Sequence, residues 1–246
     1  MIRNGWPRFV TLNWKLGIVL LLFVGILRFG LVIHANVKGD FRFVSIIFVF
    51  MVALPLLLLN RQGLKHIGLL TNTSGVWMAA SLFSGFVLCI IVFLIGLLLY
   101  GKTSSNWFVS IGQAYPIAFD TMSATDKPVY FIIYSIIGMT FSPLGEEFMY
   151  RGLVHQCLAE RWGDKTSTLI ESGAFGVTHL AHFGIVYAAG SWSFLLLPGL
   201  LWIILIFGTG LIFNFWRRTS GSLYGAVLCH AAFNLAMTYF IFYQLF

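Results

Sequence analysis

The sequence predicts an all-α fold, a polytopic transmembrane bundle of about seven to eight helices. Hydrophobic residues make up 59% of the chain, charged residues make up only 9%, and the mean hydropathy is +0.90. A soluble domain has about 25% charged residues. The polar stretches are also too short to form a separate soluble domain, which needs about 50 residues or more. We therefore expect one membrane-embedded domain over residues 1–246.

Apolar windows of about 17–25 residues, the length that crosses a bilayer as a helix, supply the individual elements. Seven such windows cover residues 16–33, 43–59, 77–100, 129–150, 169–187, 194–215 and 223–246. Arg28 interrupts the first window and is predicted to snorkel to the surface or to face the bundle, with a catalytic role as the alternative. Polar connections are predicted at 60–76, at 101–128 with a short surface helix near 107–118, and at 151–168.

Lysine and arginine are distributed unevenly between the two ends of the predicted bundle. One end would hold Arg3, Arg8, Lys15, Arg61, Lys65, Arg151, Arg161, Lys165, Arg217 and Arg218, and the other Lys38, Arg42, Lys102 and Lys127. Because cytoplasmic loops are enriched in these residues, ten against four predicts a cytoplasmic N-terminus. The same residues form no patch that would bind nucleic acid, so the expected surroundings are membrane lipid.

The three cysteines, Cys89, Cys157 and Cys229, are odd in number and lack the spacing of metal ligands. We predict that they are free thiols that fill core space. The first apolar window is long and is not followed by a small-residue cleavage site, so we expect no cleavable signal peptide.

The stretch 142–152, Ser-Pro-Leu-Gly-Glu-Glu-Phe-Met-Tyr-Arg-Gly, places two carboxylates and an arginine at the end of an apolar run. An ionised side chain inside a bilayer costs roughly 2.5–3.5 kcal/mol, so such groups usually have a function. Glu147 and Arg151 are four residues apart and share a helix face, which predicts an ion pair. Glu146 would point about a quarter-turn away, into the bundle. The alternative is that all three charges cap a helix at the membrane surface.

Two further windows carry polar residues at helical spacing. Phe175 and His179 are one turn apart in the fifth window, where His182 follows them. His230 and Asn234 are four apart and share a face in the seventh window. Each could be an interhelical packing contact by itself. Together with the carboxylates they predict one shared polar site inside the bundle.

Taken in order, Glu-Glu-x-x-x-Arg at 146–151, Phe-x-x-x-His at 175–179 and His-x-x-x-Asn at 230–234 resemble the motifs of the CPBP family of intramembrane proteases. That family includes the type II CAAX prenyl endopeptidases and bacterial Abi proteins linked to bacteriocin processing or immunity. The resemblance covers roughly residues 143–235 and implies a catalytic core at about 129–246. It further implies endopeptidase activity and a bacterial cell membrane as the location.

The resemblance also implies a role for each matching residue. Glu146 and His179 would activate a water molecule that attacks the scissile carbonyl. His230 and Asn234 would donate hydrogen bonds to the oxyanion. Structural support would come from Glu147, Arg151 and Phe175. The substrate would be a peptide or protein, such as a prenylated tail, a leader peptide or another membrane protein.

The family has been described both as metalloproteases and as glutamate-dependent enzymes that use no metal. Glu146, His179 and His230 could form a three-ligand zinc site with an open position for water. However, the sequence has no His-Glu-x-x-His motif, and His182 follows His179 at the wrong spacing. We therefore expect no obligatory metal, with zinc on those three residues as the alternative.

Two other functions remain open at this point. The first is a non-catalytic member with the CPBP fold, an immunity or scaffolding protein that binds a toxin or partner. The second is a proton-coupled transporter that uses the buried carboxylates. The presence of every matching polar position favours the enzyme.

Overall fold

Long apolar helices dominate the computed structural model, which describes residues 1–6, 11–40, 42–188 and 190–246. The helices are α1 (Trp14–Lys38), α2 (Arg42–Leu58), α3 (Arg61–His66), α4 (Gly75–Tyr100), α5 (Trp107–Gln113), α6 (Asp126–Glu146), α7 (His155–Thr178), α8 (Leu196–Ser220) and α9 (Leu223–Phe240). A π-helical segment (Glu147–Val154) joins α6 to α7, and a second (Ile241–Leu245) follows α9. Strands β1 (Ile185–Ala188) and β2 (Ser191–Phe194) form an antiparallel hairpin. The predicted all-α membrane bundle is confirmed.

Five stretches are long and apolar enough to cross a membrane, namely α1, α4, Asp126–Ala181, α8 and Leu223–Leu245. Helix α2 is apolar but only 17 residues long. The stretch Asp126–Ala181 has 56 residues and turns at Gly163, whose φ of 73° lies in the left-handed region that favours glycine. The stretch Asp126–Ala181 has one arm before Gly163 and one after it. When these two arms and α2 are counted with the other long helices, the described part of the chain runs seven times between the two ends of the bundle.

Two predictions of secondary structure were wrong. The stretch 151–168 is not a loop, because the π segment and α7 continue through it and only Gly163 departs from helical geometry. The fifth window also ends early, since α7 stops at Thr178 and the hairpin follows. Its last residues, Ile185-Val186-Tyr187, are β-branched or aromatic and suit a strand. A short apolar run does not by itself distinguish helix from strand.

The two ends of the bundle differ in charge. Backbone bonds at one end join Arg3 N–H to Leu58 O and Leu223 N–H to Gly68 O, both at 2.9 Å. We call this end the basic face, and its described lysines and arginines are Arg3, Lys15, Arg61, Lys65, Arg161, Lys165, Arg217 and Arg218. The opposite end, the sparse face, carries Lys38, Arg42, Lys102, Lys127 and the hairpin. Arg8 of the sequence-based count lies outside the described residues.

The centre of the bundle is formed by the π segment and α9. All eight residues of the π segment are buried, including its charged side chains. Helix α9 packs closely on α4, where Gly85 leaves no room for a side chain against the Cys229 carbonyl. The three cysteines are buried and free, which confirms that prediction. The first motif and the helix that carries His230 and Asn234 therefore lie in an enclosed part of the fold.

Candidate active site

The first motif lies where α6 passes into the π segment. Glu146 is the last residue of α6 and Glu147 is the first of the π segment, four residues before Arg151. All three side chains are 0% exposed, which excludes the alternative that they cap a helix at the membrane surface. A π-helical turn is rare and occurs frequently at functional sites. Here it directs two adjacent carboxylates into the bundle interior.

Arg28 of α1 is the direct partner of Glu146. Its Nη2 atom lies 2.6 Å from Glu146 Oε1, and both side chains are buried. Its Nη1 atom donates to Thr178 Oγ1 at 3.0 Å. The same guanidinium reaches two histidines, with Nη2 at 3.3 Å from His182 Nε2 and at 3.5 Å from His179 Nε2. Sequence reasoning placed Arg28 on the bundle side as one of two options but missed its place in the site. Its position in mid-window was the available signal.

His179 presents one specific ring nitrogen to this arginine. Its Nδ1 atom lies 2.7 Å from Phe175 O. A carbonyl only accepts hydrogen bonds, so Nδ1 carries the proton and Nε2 of the neutral ring carries the lone pair. The Phe175 ring, 4.4 Å from the imidazole centroid to centroid, fixes the ring plane. The contact with Arg28 is therefore a guanidinium N–H donated to His179 Nε2.

His230 and Asn234 approach from α9. His230 Nδ1 lies 2.8 Å from Glu147 Oε1, and His230 Nε2 lies 3.8 Å from Glu146 Oε2. One imidazole therefore bridges both carboxylates of the first motif. Asn234 Nδ2 donates to Gly138 O at 2.9 Å, which uses one of its two N–H groups.

A second set of polar residues lies on the basic-face side of these groups. Arg151 Nη1 is 3.2 Å from Glu147 Oε1, and Arg151 Nε is 3.3 Å from Glu171 Oε2. Glu171 also accepts a hydrogen bond from Asn214 Nδ2 and lies 3.5 Å from His155 Nδ1. We call these five fully enclosed residues the closed cluster. The predicted ion pair of Glu147 with Arg151 is present within it.

We call the first set the cavity cluster, consisting of Arg28, Glu146, His179, His182, His230 and Asn234. The two clusters together contain three carboxylates and two guanidinium groups. The carboxylates are Glu146, Glu147 and Glu171, and the cations are Arg28 and Arg151. Buried charges are normally paired, so one further proton on a bridging imidazole, His230 or His155, would balance the set.

A cavity of about 690 Å³ reaches the cavity cluster. Every member of that cluster except Glu146 lines it, and aromatic and aliphatic side chains form most of the remaining wall. Glu146 lies behind Arg28 and His230, fully buried. The structure thus brings His179, His230 and Asn234 to one cavity and places Glu146 directly beneath it. Glu147 and Arg151 lie deeper still, in the closed cluster.

The mouth of the cavity lies at the sparse face. Gly39, Asp40 and Arg42 from the turn between α1 and α2 line it, together with Tyr115 and Tyr130. Hydrogen bonds from Arg42 lower the pKa of Asp40 to about 2, so the mouth carries a permanent ion pair. The sequence-based count of charges placed the first motif toward the basic face, whereas the cavity above it opens at the opposite end.

The three candidate zinc ligands do not fit a metal site in this arrangement. Arg28 Nη2 lies 2.6 Å from Glu146 and 3.5 Å from His179, so a guanidinium occupies the position between them that a cation would take. The third candidate, His230, turns Nδ1 to Glu147. Among the described residues no group of three His, Cys, Asp or Glu side chains is gathered for a metal. The mechanism proposed below therefore uses no zinc.

Comparison with known protein families supports the resemblance seen in the motifs. Residues 128–236 match the family model described as type II CAAX prenyl endopeptidase Rce1-like. The similarity to this family therefore extends over residues 128–236 of the 246-residue chain. The matched range contains both glutamates of the first motif and both histidine motifs, and it lies in a helical membrane bundle. No curated protein and no solved structure matches the chain.

Proposed function

We propose that this protein is an intramembrane endopeptidase that hydrolyses a peptide bond at the base of the cavity. One observation carries the proposal: His179, which directly follows α7, and His230 and Asn234 of α9 meet Arg28 of α1 at the closed end of an apolar cavity. The two histidines and the asparagine lie within the range that matches the Rce1-like family model. Polar groups gathered at the base of a cavity inside a membrane bundle are the arrangement that hydrolysis there requires.

His179 is the group best placed to take a proton from water. Its Nε2 atom carries the lone pair and lies on the cavity side, where its contact with Arg28 at 3.5 Å is long enough for a water molecule to compete for it. Glu146 is the second acid–base group in our proposal, with its Oε2 atom turned toward His230. General-base catalysis by a positioned group contributes about 100- to 10,000-fold to a rate. A water between His179 and Glu146 would thus have two acceptors for its proton.

His230 and Asn234 are the proposed hydrogen-bond donors to the oxyanion. Asn234 has one N–H group left after its bond to Gly138 O. His230 bonds Glu147 through Nδ1, so its Nε2 atom donates only when the ring is an imidazolium. Removing one such donor from a comparable site costs about 2.7–4 kcal/mol of transition-state stabilisation.

The shape and lining of the cavity favour an apolar or lipidated polypeptide as substrate. Its walls carry the aromatic residues Phe48, Tyr115, Tyr130, Tyr134, Phe141, Phe175, Trp202, Phe213 and Phe233. Along α6, Ile133, Ile137 and Phe141 line the cavity while each remains more than 40% exposed on the outer surface of the bundle. A substrate anchored in lipid could therefore approach between α2 and α6.

The test is cleavage of a randomised peptide library by the purified protein in detergent, read by mass spectrometry. We expect wild type to cleave, Glu146→Ala and His179→Ala to lose cleavage, and Glu160→Ala, which removes an exposed carboxylate, to retain it. A strong chelator should leave the wild-type rate unchanged. Full activity of Glu146→Ala would remove that residue from the mechanism, and activity lost on chelation and restored by zinc would contradict our reading of the metal.

One observation favours the non-catalytic alternative. Glu146 is fully buried and paired with Arg28 at 2.6 Å, an arrangement that a scaffolding or immunity protein would also tolerate. In that case the library would remain intact with wild type and with both variants. The protein would then act by binding a partner through the same cavity.

A further inference from the structure

The cavity and the positive charges lie at opposite ends of the bundle, which bears on where the substrate is found. We infer that the cavity opens on the non-cytoplasmic side of the membrane, so that the substrate is an exported, apolar polypeptide segment. The side of the membrane on which the cavity opens follows from topology alone. The nature of the substrate rests on the proposed peptidase function.

The first step is the direction in which the cavity opens. From Arg28 the helix α1 continues ten residues to Lys38 at the sparse face, roughly 15 Å at 1.5 Å per residue. That is about half of a 30 Å hydrocarbon core, so the site lies near the middle of the bilayer. The cavity spans this half, from Arg28 to the turn that contains Asp40 and Arg42.

The second step is that the cavity cluster is not reached from the other half of the bundle. A cavity of about 670 Å³ does lie at the basic face, but no residue of the cavity cluster lines it. Between the cavity cluster and the basic face lie the π segment, with all eight residues buried, and the closed cluster, which is also buried. Glycines bring the helices together there, and Gly17 of α1 is an example, since an added Cβ would lie 2.9 Å from Cys157 Cβ of α7. A polypeptide that approached from the basic face would meet packed side chains.

The third step is the orientation of the bundle. Arg151 is buried and no longer counts as a loop residue, which leaves eight lysines and arginines at the basic face against four at the sparse face among the described residues. Positive loops remain on the cytoplasmic side of a membrane. The sparse face, and the mouth with it, therefore faces away from the cytoplasm. A prenylated cytoplasmic tail would arrive at the closed end.

The mouth also indicates what kind of segment would bind. Asp40 and Arg42 pair with each other through three hydrogen bonds between their side chains, so the opening has no unbalanced charge to attract an ionic ligand. Beyond them the wall is mostly apolar. An uncharged hydrophobic stretch of a secreted or membrane-anchored polypeptide matches both features.

The side of the mouth can be measured by labelling cysteine variants in intact cells with a membrane-impermeant maleimide. Ser45→Cys reports on the cavity, Ser104→Cys on the sparse face and Gln62→Cys on the basic face, and all three positions are exposed. The buried native cysteines make wild type the blank. We expect Ser45→Cys and Ser104→Cys to be labelled, and Gln62→Cys only after permeabilisation. Labelling of Gln62→Cys with protection of Ser45→Cys would overturn the inference.

The substrate side needs a second measurement in the same cells. The randomised peptide library is fused to a single-span anchor that displays it either outside or inside the cell. We expect only the outside library to be cleaved, and Glu146→Ala to abolish that cleavage. Cleavage of the inside library alone would overturn the inference while supporting the peptidase. Cleavage of neither, with the expected labelling, would overturn the peptidase and leave the orientation standing.

Discussion

The cavity cluster and the closed cluster are built from the same kinds of side chain and differ in access to solvent. Each has a carboxylate paired with an arginine, Glu146 with Arg28 and Glu171 with Arg151. His179 and His182 of the first cluster line a cavity and are partly exposed. The residues of the closed cluster are all within 1% of complete burial. In our proposal, the same kinds of side chain thus serve hydrolysis in one place and structural support in the other.

The difference follows from how the helices meet. Around the closed cluster, glycines allow close approach, and Gly210 shows this because an added Cβ would lie 2.7 Å from Arg151 Nη2. The Arg151 guanidinium also lies 4.3 Å from the Phe175 ring centroid, so its face is covered as well as its edges. Toward the sparse face α2 and α6 carry larger side chains, and the cavity lies between them. Packing, rather than composition, decides which cluster meets water.

The largest effect on the cleavage rate is expected from Glu146→Gln, which removes both the charge of this residue and its proposed catalytic role. Glu146→Gln should lower the cleavage rate by about 100- to 10,000-fold, the usual contribution of a general base. It should also lower stability, because Arg28 is left as a buried unpaired charge, which costs about 3–5 kcal/mol. The double variant Arg28→Met with Glu146→Gln should recover the thermal midpoint without recovering cleavage. Rates and melting curves of the same preparations measure both.

Recovery of both cleavage and the thermal midpoint in that double variant would mean that Arg28 and Glu146 serve only to stabilise the fold. If activity returned together with stability, the loss in Glu146→Gln would reflect misfolding, and the proposed base would have to be sought elsewhere. Glu160→Gln, an exposed carboxylate substituted in the same way, should match wild type in both measurements.

A substitution in the closed cluster should lower stability and leave the cleavage rate nearly unchanged. Glu171→Gln leaves Arg151 with Glu147 alone and should destabilise the protein by about 3–5 kcal/mol, the cost of breaking a buried pair. The cleavage rate of each remaining folded molecule should stay within a few-fold of wild type. Melting curves and active-fraction titration separate the two quantities. A loss of rate at unchanged stability would show that the closed cluster takes part in the chemistry.

The sequence predicted the helices more completely than the site. Apolar length alone located α1, α4 and α8, because a bilayer-spanning helix is a strong and local signal. The motif spacings located Glu146, His179 and His230. They did not locate Arg28, whose contact with Thr178 joins residues 150 positions apart, and such pairings depend on how helices pack. The hairpin after α7 was missed because its short apolar run has no helical or strand period of its own.

The smallest effect is expected for His182, which lines the cavity and contacts Arg28 and His179 rather than a carboxylate. Its Nε2 atom lies 3.3 Å from Arg28 Nη2, and its ring lies 5.5 Å from that of His179. If it only helps to hold the guanidinium, His182→Ala should reduce cleavage less than tenfold, while His179→Ala removes a proton acceptor and reduces it far more. Equal losses in both variants, measured at matched folded protein, would mean that the two histidines act together on the water. In that case Arg28 would serve to orient an imidazole pair, and the boundary between the two clusters would lie at Glu146 itself.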